Sequence, residues 1–180
     1  MKRPAAAWLQ AAPWRGAACL LALLLVPLLV QAQALPEREL KAQIVLRALL
    51  FVQWPPAALS DNQPLLLCLA EPGVLADALE SMAGQSINGH RLEVKRVAVD
   101  RLQDCHVAYV GAPALDALRT PVRGLLLVGD AHALTERGVM LNLVLDQRRV
   151  VFDIDLAAAR RAGLEMSTQL LRLARFVRQG

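Results

Sequence analysis

Two aspartates near the end of the chain have the spacing of a catalytic carboxylate pair. Asp153 and Asp155 lie two residues apart, in and directly after an apolar segment, residues 150–154, that reads as a strand. Because strand side chains alternate between two faces, both carboxylates lie on one side, where they could exchange protons or bind a metal. Asp155 also directly precedes a predicted helix, where an aspartate accepts hydrogen bonds from free amides. We therefore favour helix capping over catalysis for Asp155.

The other side chains that could do chemistry are scattered along the chain. His90, His106 and His132 have no carboxylate partners at the spacing of metal ligands, so the sequence predicts no metal site. We interpret His106, which lies in a predicted strand, as a hydrogen-bonded structural histidine rather than a weak ligand. Ser167 has no histidine near it in the sequence, and the motifs of serine hydrolases, nucleotide-binding loops and zinc peptidases are absent. The sequence predicts a protein that is not an enzyme and needs no cofactor.

The first 34 residues have the composition of a secretory signal peptide. Lys2, Arg3 and Arg15 precede or flank an apolar run over residues 17–30, and a small-x-small pattern ends at Ala34. The run is shorter than the roughly 20 residues that a membrane-spanning helix needs. We expect cleavage after Ala34 and a single exported domain over residues 35–180. The alternative is an uncleaved signal anchor.

Two of the three cysteines lie beyond this segment. Cys68 and Cys105 each lie in an apolar, strand-like run, whereas Cys19 lies in the segment that we expect to be removed. An even pair of cysteines in an exported protein is a good candidate for a disulfide. The alternative is two buried free thiols on neighbouring strands, which act as small apolar side chains.

The charge of the chain is partly a property of its first residues. The whole sequence carries 20 basic and 16 acidic residues, a formal net charge of +4, and three of the basic residues precede position 35. The remaining domain is therefore nearly neutral. Without a basic run there is no electrostatic reason to propose a nucleic-acid partner.

Strands and helices alternate along the predicted domain. The segment 36–54 is predicted to be an amphipathic helix that ends at Trp54-Pro55-Pro56, because proline cannot continue the helical hydrogen bonds. The following segments are predicted as strand 65–70, helix 74–82, strand 91–99, a strand from 105, helix 113–119 and strand 125–128. Segments 139–145 and 150–154 predict an antiparallel hairpin. The fold class is α/β, with a mixed, largely parallel sheet, flanking helices and an antiparallel hairpin near the C-terminus.

The last thirty residues are predicted to close the fold with a helix. After the hairpin, Gly163 interrupts a first helix, and Ser167 or Thr168 caps a second helix that continues almost to the end of the chain. Arg172, Arg175 and Arg178 lie in its predicted last turns, where cations complement the helix dipole. The apolar residues have the spacing of one helical face, which would pack on the sheet.

Several pieces of this domain, in their order and spacing, resemble the YfiR-like family of small periplasmic regulators over nearly the whole mature chain. The matching pieces are Lys41, Phe51-Val52-Gln53-Trp54-Pro55, Leu67-Cys68-Leu69, Ile87-Asn88-Gly89-His90-Arg91, Cys105-His106-Val107, Leu127-Val128-Gly129-Asp130 and residues 152–174. Two positions depart from the family pattern. Arg137-Gly138 replaces a usual glycine pair before the hairpin, and Asp155 replaces a usual asparagine.

The resemblance implies a periplasmic repressor that binds the periplasmic sensor domain of an inner-membrane diguanylate cyclase. Members of the family keep cyclic di-GMP low, and with it exopolysaccharide and biofilm formation. An outer-membrane lipoprotein can sequester the repressor, and members of the family form homodimers. Cys68 and Cys105 match cysteines whose disulfide couples folding or activity to the redox state of the periplasm.

We predict that the closing region contacts the partner or a second copy. The apolar candidates are Leu164, Met166, Leu170, Leu171 and Leu173. Packing in the core explains the same pattern. Glu165 and Arg172 are candidates for orienting the partner or raising the association rate, and the alternative for both is a solvated helix surface.

A second hypothesis comes from another class of protein. The domain would then sense or bind a periplasmic small molecule, with a pocket near the strand ends that carry Asp130 and Asp155. Ligand sites in α/β sheets favour the carboxyl ends of strands.

Overall fold

The computed structural model describes residues 36–118 and 121–180. The predicted signal peptide, residues 1–34, lies outside this part of the chain. Within the described ranges, no helix combines the length and the apolar character that crossing a bilayer requires.

The helices and strands follow one another much as the sequence predicts up to the hairpin. The helices are α1 (Glu37–Leu49), α2 (Val74–Glu80), α3 (Ala112–Ala117), α4 (Leu156–Arg161) and α5 (Thr168–Leu173). The strands are β1 (Val52–Gln53), β2 (Leu65–Leu69), β3 (Ser86–Ile87), β4 (His90–Arg96), β5 (Val107–Tyr109), β6 (Leu126–Gly129), β7 (Leu141–Asp146), β8 (Arg149–Asp155), β9 (Glu165–Met166) and β10 (Phe176–Arg178). Short 3₁₀ helices cover Val99–Asp104 and Thr135–Arg137.

Eight strands form one sheet in the order β10-β8-β7-β6-β5-β2-β4-β3. Pairing is parallel from β7 through β6, β5 and β2 to β4, whereas β7 and β8 form an antiparallel hairpin. This arrangement confirms the predicted α/β class with a mixed, largely parallel sheet. Two short strands, β1 and β9, form a separate antiparallel pair in which Val52 lies opposite Met166.

Helix α1 closes one face of the sheet. Glu37 and Glu39 lie in its first turn and Arg47 in its last turn, so the side-chain charges complement the helix dipole. Val45 and Leu49 belong to its buried face. The helix is shorter than the predicted segment 36–54, because it ends at Leu49 and Val52–Gln53 form β1 before Trp54 and the prolines.

The two faces of the sheet cover two apolar clusters. In β2, Leu65, Leu67 and Leu69 belong to the larger cluster, whereas Leu66 and Cys68 contribute to the smaller one. This division follows from the alternation of strand side chains. Cys68 and Cys105 form a disulfide within the smaller cluster, with their Cα atoms 6.1 Å apart. The prediction of a disulfide between these two cysteines is confirmed.

The prediction of a closing helix that continues almost to the end of the chain is wrong. Helices α4 and α5 have six residues each, and the chain then forms β10, which pairs in parallel with β8. The backbone N–H of Arg175 donates to Phe152 O at 2.9 Å, which attaches this segment to the sheet. Arg175 and Arg178 therefore do not lie in a helix. The predicted cap is confirmed, because Ser167 Oγ accepts a hydrogen bond from Leu170 N at 3.2 Å.

Candidate functional site

The aspartates of β8 do not form an acid–base pair. Asp155 is buried, and its Oδ1 accepts from Ala158 N at 2.8 Å, so this side chain caps α4. Asp153 accepts from the guanidinium of Arg175 through both carboxylate oxygens, with Oδ1 2.9 Å from Nε. Both carboxylates thus hold secondary structure in place, and the interpretation of Asp155 as a cap is confirmed.

The contact between Asp153 and Arg175 is expected to hold β10 on the sheet. Changing Arg175 to alanine leaves the largely buried Asp153 carboxylate without its cation, so the free energy of unfolding should fall by about 2 kcal/mol. Hydrogen exchange of the β10 amides should rise more than exchange elsewhere. Changing the exposed Arg172 to alanine is the matched control, and equal losses in both variants would contradict this role.

His106 is a structural histidine, as the sequence predicts. Leu66 N donates to its Nδ1 at 2.9 Å, so its Nε2 carries the proton that is donated to Ala58 O at 3.1 Å. Burial lowers the pKa of His106 below its ordinary value of 6.5; the hydrogen bond to Ala58 opposes this shift, and the charge of His90 adds to it. The ring is therefore neutral in the folded protein near neutral pH.

Stability is expected to fall as the pH drops below about 6.5. Because the folded-state pKa of His106 is lowered, the unfolded chain binds its proton first on acidification, which favours unfolding. The free energy of unfolding, measured by urea denaturation between pH 7.5 and 5, should show this slope. The His106→Asn variant should flatten it, whereas an equal slope in His106→Asn and in the exposed-site control His132→Asn would contradict the assignment.

A closed polar network lies where β5 and β6 end. Tyr109 donates its hydroxyl proton to Asp130 Oδ1 at 2.8 Å, and Lys41 Nζ lies 3.2 Å from Asp130 Oδ2 and 2.9 Å from Glu37 Oε1. Burial, reinforced by the charge of Asp130, raises the pKa of Tyr109. Burial alone would lower the pKa of Lys41, but its bonds to Glu37 and Asp130 outweigh burial and raise it. Protonated Lys41 and the Tyr109 hydroxyl clamp α1 onto these strand ends, beside a cavity of about 280 Å³.

The segments around Trp54 and Asn88 that carry the family resemblance line a cleft of about 510 Å³. Trp54 Nε1 donates to His106 O at 3.2 Å, and Asn88 Nδ2 donates to Leu50 O at 3.1 Å. His90 Nδ1 lies 2.8 Å from Gln63 O. These contacts hold the loops together at the starting ends of β2 and β4, so the pieces that carry the family resemblance have a structural role here.

The described residues include no cluster of three or more histidine, cysteine, aspartate or glutamate side chains arranged to hold a metal ion. Asp130, Asp153, Asp155, His90 and His106 have protein partners instead.

The closing-region residues divide into buried and exposed sets. Leu164, Met166 and Leu170 are buried in the larger core cluster, and Leu171 is partly buried against it. Glu165, Arg172 and Leu173 are exposed, and 65% of Leu173 is accessible to solvent. Phe176, which is not among the contact residues predicted from the sequence, is 58% exposed. We call Arg172, Leu173 and Phe176 the C-terminal patch.

Comparisons with known proteins identify the family. The family model described as YfiR/HmsC-like matches residues 38–175. A conserved domain protein of Vibrio cholerae has a similar fold, with a TM-score of 0.51, 15% sequence identity, and coverage of 79% of this chain and 60% of that one. The ABC domain of Streptococcus pneumoniae in complex with L-Trp gives a TM-score of 0.43 at 12% identity, covering 73% of this chain and 61% of that one.

The chain spans about three fifths of the length of each of these two solved proteins. A search of the curated proteins finds no match. At 15% identity the Vibrio cholerae structure supports the fold alone. The family assignment depends on the match over residues 38–175, which is well over half of the chain. The protein belongs to the YfiR/HmsC-like family.

Proposed function

We propose that this protein is a periplasmic regulator that binds the periplasmic sensor domain of an inner-membrane diguanylate cyclase and represses the enzyme. Repression would lower cyclic di-GMP and biofilm formation. The family match over residues 38–175 carries the proposal, because the YfiR/HmsC-like family is associated with regulation of diguanylate cyclases. The domain would act by binding and would have no catalytic role of its own.

The C-terminal patch is the candidate surface for this contact. Leu173 and Phe176 are exposed apolar side chains, and the cationic Arg172 lies beside Leu173. Apolar anchors next to a cation suit a partner surface with an apolar pocket and an acidic rim. Of the other predicted contact residues, the exposed Glu165 stays a candidate for orienting the partner. The buried Leu164, Met166 and Leu170 would support the contact only by shaping the core beneath it.

A capture experiment tests both the partner and the patch. The oxidised protein, purified from the periplasm, is incubated with detergent-solubilised membranes of the same cells, and recovery of a membrane diguanylate cyclase is the expected result. The Leu173→Arg variant should lose the cyclase because a charge replaces an apolar anchor. The matched control is Val74→Arg, since Val74 is 64% exposed at the start of α2. Equal capture by both variants would refute the place of the contact, and failure of the wild-type protein to capture a cyclase would refute the proposed partner.

Three further parts of the proposal follow from the family. We propose that the protein forms a homodimer, that an outer-membrane lipoprotein sequesters it, and that loss of the Cys68–Cys105 disulfide relieves repression. The bond lies in a buried cluster, so breaking it would disturb packing between β2 and the segment before β5. Light scattering of the purified protein tests the dimer, and capture of the cyclase with and without reductant tests the redox response.

A second candidate function is the binding of a small periplasmic molecule. Two cavities of about 280 Å³ each favour it, one beside Asp130 and one beside Asp153. Asp155 itself caps α4 and is not free to contact a ligand. A saturable rise in melting temperature with a defined small molecule would support this function, and partner capture without any added ligand would favour the first.

A further inference from the structure

Strand β10 is the last strand at one end of the eight-stranded sheet. It pairs in parallel with β8 on one side, and within residues 36–118 and 121–180 no further strand pairs with its other side. The backbone N–H and C=O groups on that outer side are therefore free to pair, and such an edge is a template for another strand. β10 contains no proline and no lysine, the residues that commonly block pairing at an edge. A second chain could thus extend the sheet at the outer edge of β10.

The three side chains of β10 are divided between the two faces of the sheet. Phe176 and Arg178 lie on one face because they are two residues apart, and Val177 lies on the other. Phe176 is 58% exposed, and the Arg178 side chain is 43% exposed. Arg178 Nη1 lies 3.3 Å from Glu136 O, a contact that uses one of the five N–H donors of the guanidinium. Val177 is partly buried against the larger apolar cluster. An aromatic ring and a cation therefore flank one apolar residue at this edge.

A second copy of the same strand fits this order of side chains. When two copies of β10 pair antiparallel about a two-fold axis at Val177, each Phe176 lies directly opposite Arg178 of the other copy. A cation beside an aromatic ring is a favourable cross-strand pair, and the symmetry forms it twice. The two Val177 side chains meet at the axis and extend the apolar layer from one copy to the other. An axis at Arg178 would instead place two cations opposite each other, which is unfavourable.

We propose that two copies of the protein associate through the outer edges of β10, antiparallel about Val177, so that one sheet continues across both copies. The inference rests on the homodimer proposed above and assigns its surface. Such a contact is isologous, so it closes with two copies. An edge of three residues is much smaller than the roughly 800 Å² that each partner buries in a standard interface, so the dimer should be weak and depend on concentration. Phe176 also belongs to the C-terminal patch, so the dimer and the cyclase would compete for this side chain.

Cysteine cross-linking of the protein purified from the periplasm tests the register. Facing residues of an antiparallel pair have Cα atoms about 4.5–5.5 Å apart, within the roughly 4.4–6.8 Å that a disulfide spans. The Val177→Cys variant should therefore cross-link to its own copy under mild oxidation. Phe176→Cys and Arg178→Cys are matched controls, because each lies about 8 Å from its own copy in this register and should cross-link only when the two variants are mixed. The native Cys68 and Cys105 are already joined to each other.

Exchanging the two facing side chains tests the contact itself. Sedimentation velocity of the wild type, from low micromolar to millimolar concentration, should show a reversible equilibrium between monomer and dimer. Phe176→Arg places cations opposite each other at two symmetric positions, so it should raise the dissociation constant by about tenfold or more. Combining Phe176→Arg with Arg178→Phe restores the facing pairs and should recover most of this loss. The matched control is Leu145→Arg, since Leu145 is 51% exposed in β7, away from the edge, and this variant should dimerise as the wild type does.

The outcomes separate this inference from the proposed function. A protein that stays monomeric at millimolar concentration would overturn both the homodimer and its assigned surface. A dimer in which Val177→Cys does not cross-link, or in which the exchanged pair shows no recovery, would overturn the β10 surface and leave the homodimer standing. Equal weakening by Leu145→Arg and Phe176→Arg would also overturn the surface. Capture of the cyclase is measured independently, so it succeeds or fails separately.

Discussion

Replacing Cys68 and Cys105 together by alanine is expected to lower the free energy of unfolding by about 4 kcal/mol. The disulfide joins residues 37 positions apart, so it restricts the unfolded chain by closing a long loop. It also joins β2 to the segment before β5 within the smaller apolar cluster. Urea denaturation of the oxidised wild type and of the double variant gives the difference directly.

Reductant provides the control for this prediction. The reduced wild type should lose about the same stability as the double variant, because both lack the same loop closure. The double variant should not respond to reductant. A loss below about 1 kcal/mol in both cases would contradict a stabilising role for the bond, and it would also remove the physical basis for a redox response.

Changing Leu164 to alanine is expected to cost about 3 kcal/mol of stability, whereas changing Leu173 to alanine should cost less than about 0.5 kcal/mol. Leu164 is 1% exposed in the larger core cluster, so its truncation leaves a cavity. Leu173 is mostly in solvent and has little packing to lose. The two leucines belong to the same predicted contact region, which makes them a matched pair for urea denaturation.

Partner capture should reverse the order of the two variants. Below its melting temperature, Leu164→Ala should still retain the cyclase, while Leu173→Ala should weaken retention because it removes an exposed apolar anchor. Equal stability losses in the two variants would contradict the burial that separates them. Loss of capture in folded Leu164→Ala alone would contradict the assignment of the contact to the C-terminal patch.

The hairpin is a part of this fold that the local sequence pattern predicts correctly. Two apolar runs, residues 139–145 and 150–154, joined by the polar residues 146–149, predict β7, β8 and their antiparallel pairing. The turn carries no glycine, yet Gln147 and Arg148 adopt φ values of 45° and 63°, the left-handed geometry that matches the twist of two antiparallel strands. The strands therefore determine this turn rather than the residues within it.

Strand β10 could not be predicted in the same way. Leu170, Leu173 and Val177 have helical spacing, and three residues are too few for strand alternation to stand out. The strand forms through contacts distant in sequence, the ion pair of Arg175 with Asp153 and the bond from Arg175 N to Phe152 O. Contacts between residues so distant in sequence leave no pattern within either segment.

The same limit applies to the predicted contact residues. The spacing of the apolar residues from Leu164 to Val177 predicts one helical face, but it does not say whether that face meets the sheet or a partner. The structure places Met166 in β9, opposite Val52, and this pairing has no signal in either two-residue strand. Only the three-dimensional fold separates these core residues from the exposed Leu173 and Phe176.

Cyclic di-GMP measured in living cells tests the central claim most directly. The comparison is between the wild-type strain, a strain that lacks this protein, and that strain complemented with the wild-type gene or the Leu173→Arg variant. Repression of a cyclase predicts that cyclic di-GMP rises when the protein is absent, returns to the wild-type level with the wild-type gene, and stays high with Leu173→Arg at equal protein abundance. An unchanged nucleotide level in the strain that lacks the protein would contradict the proposed function.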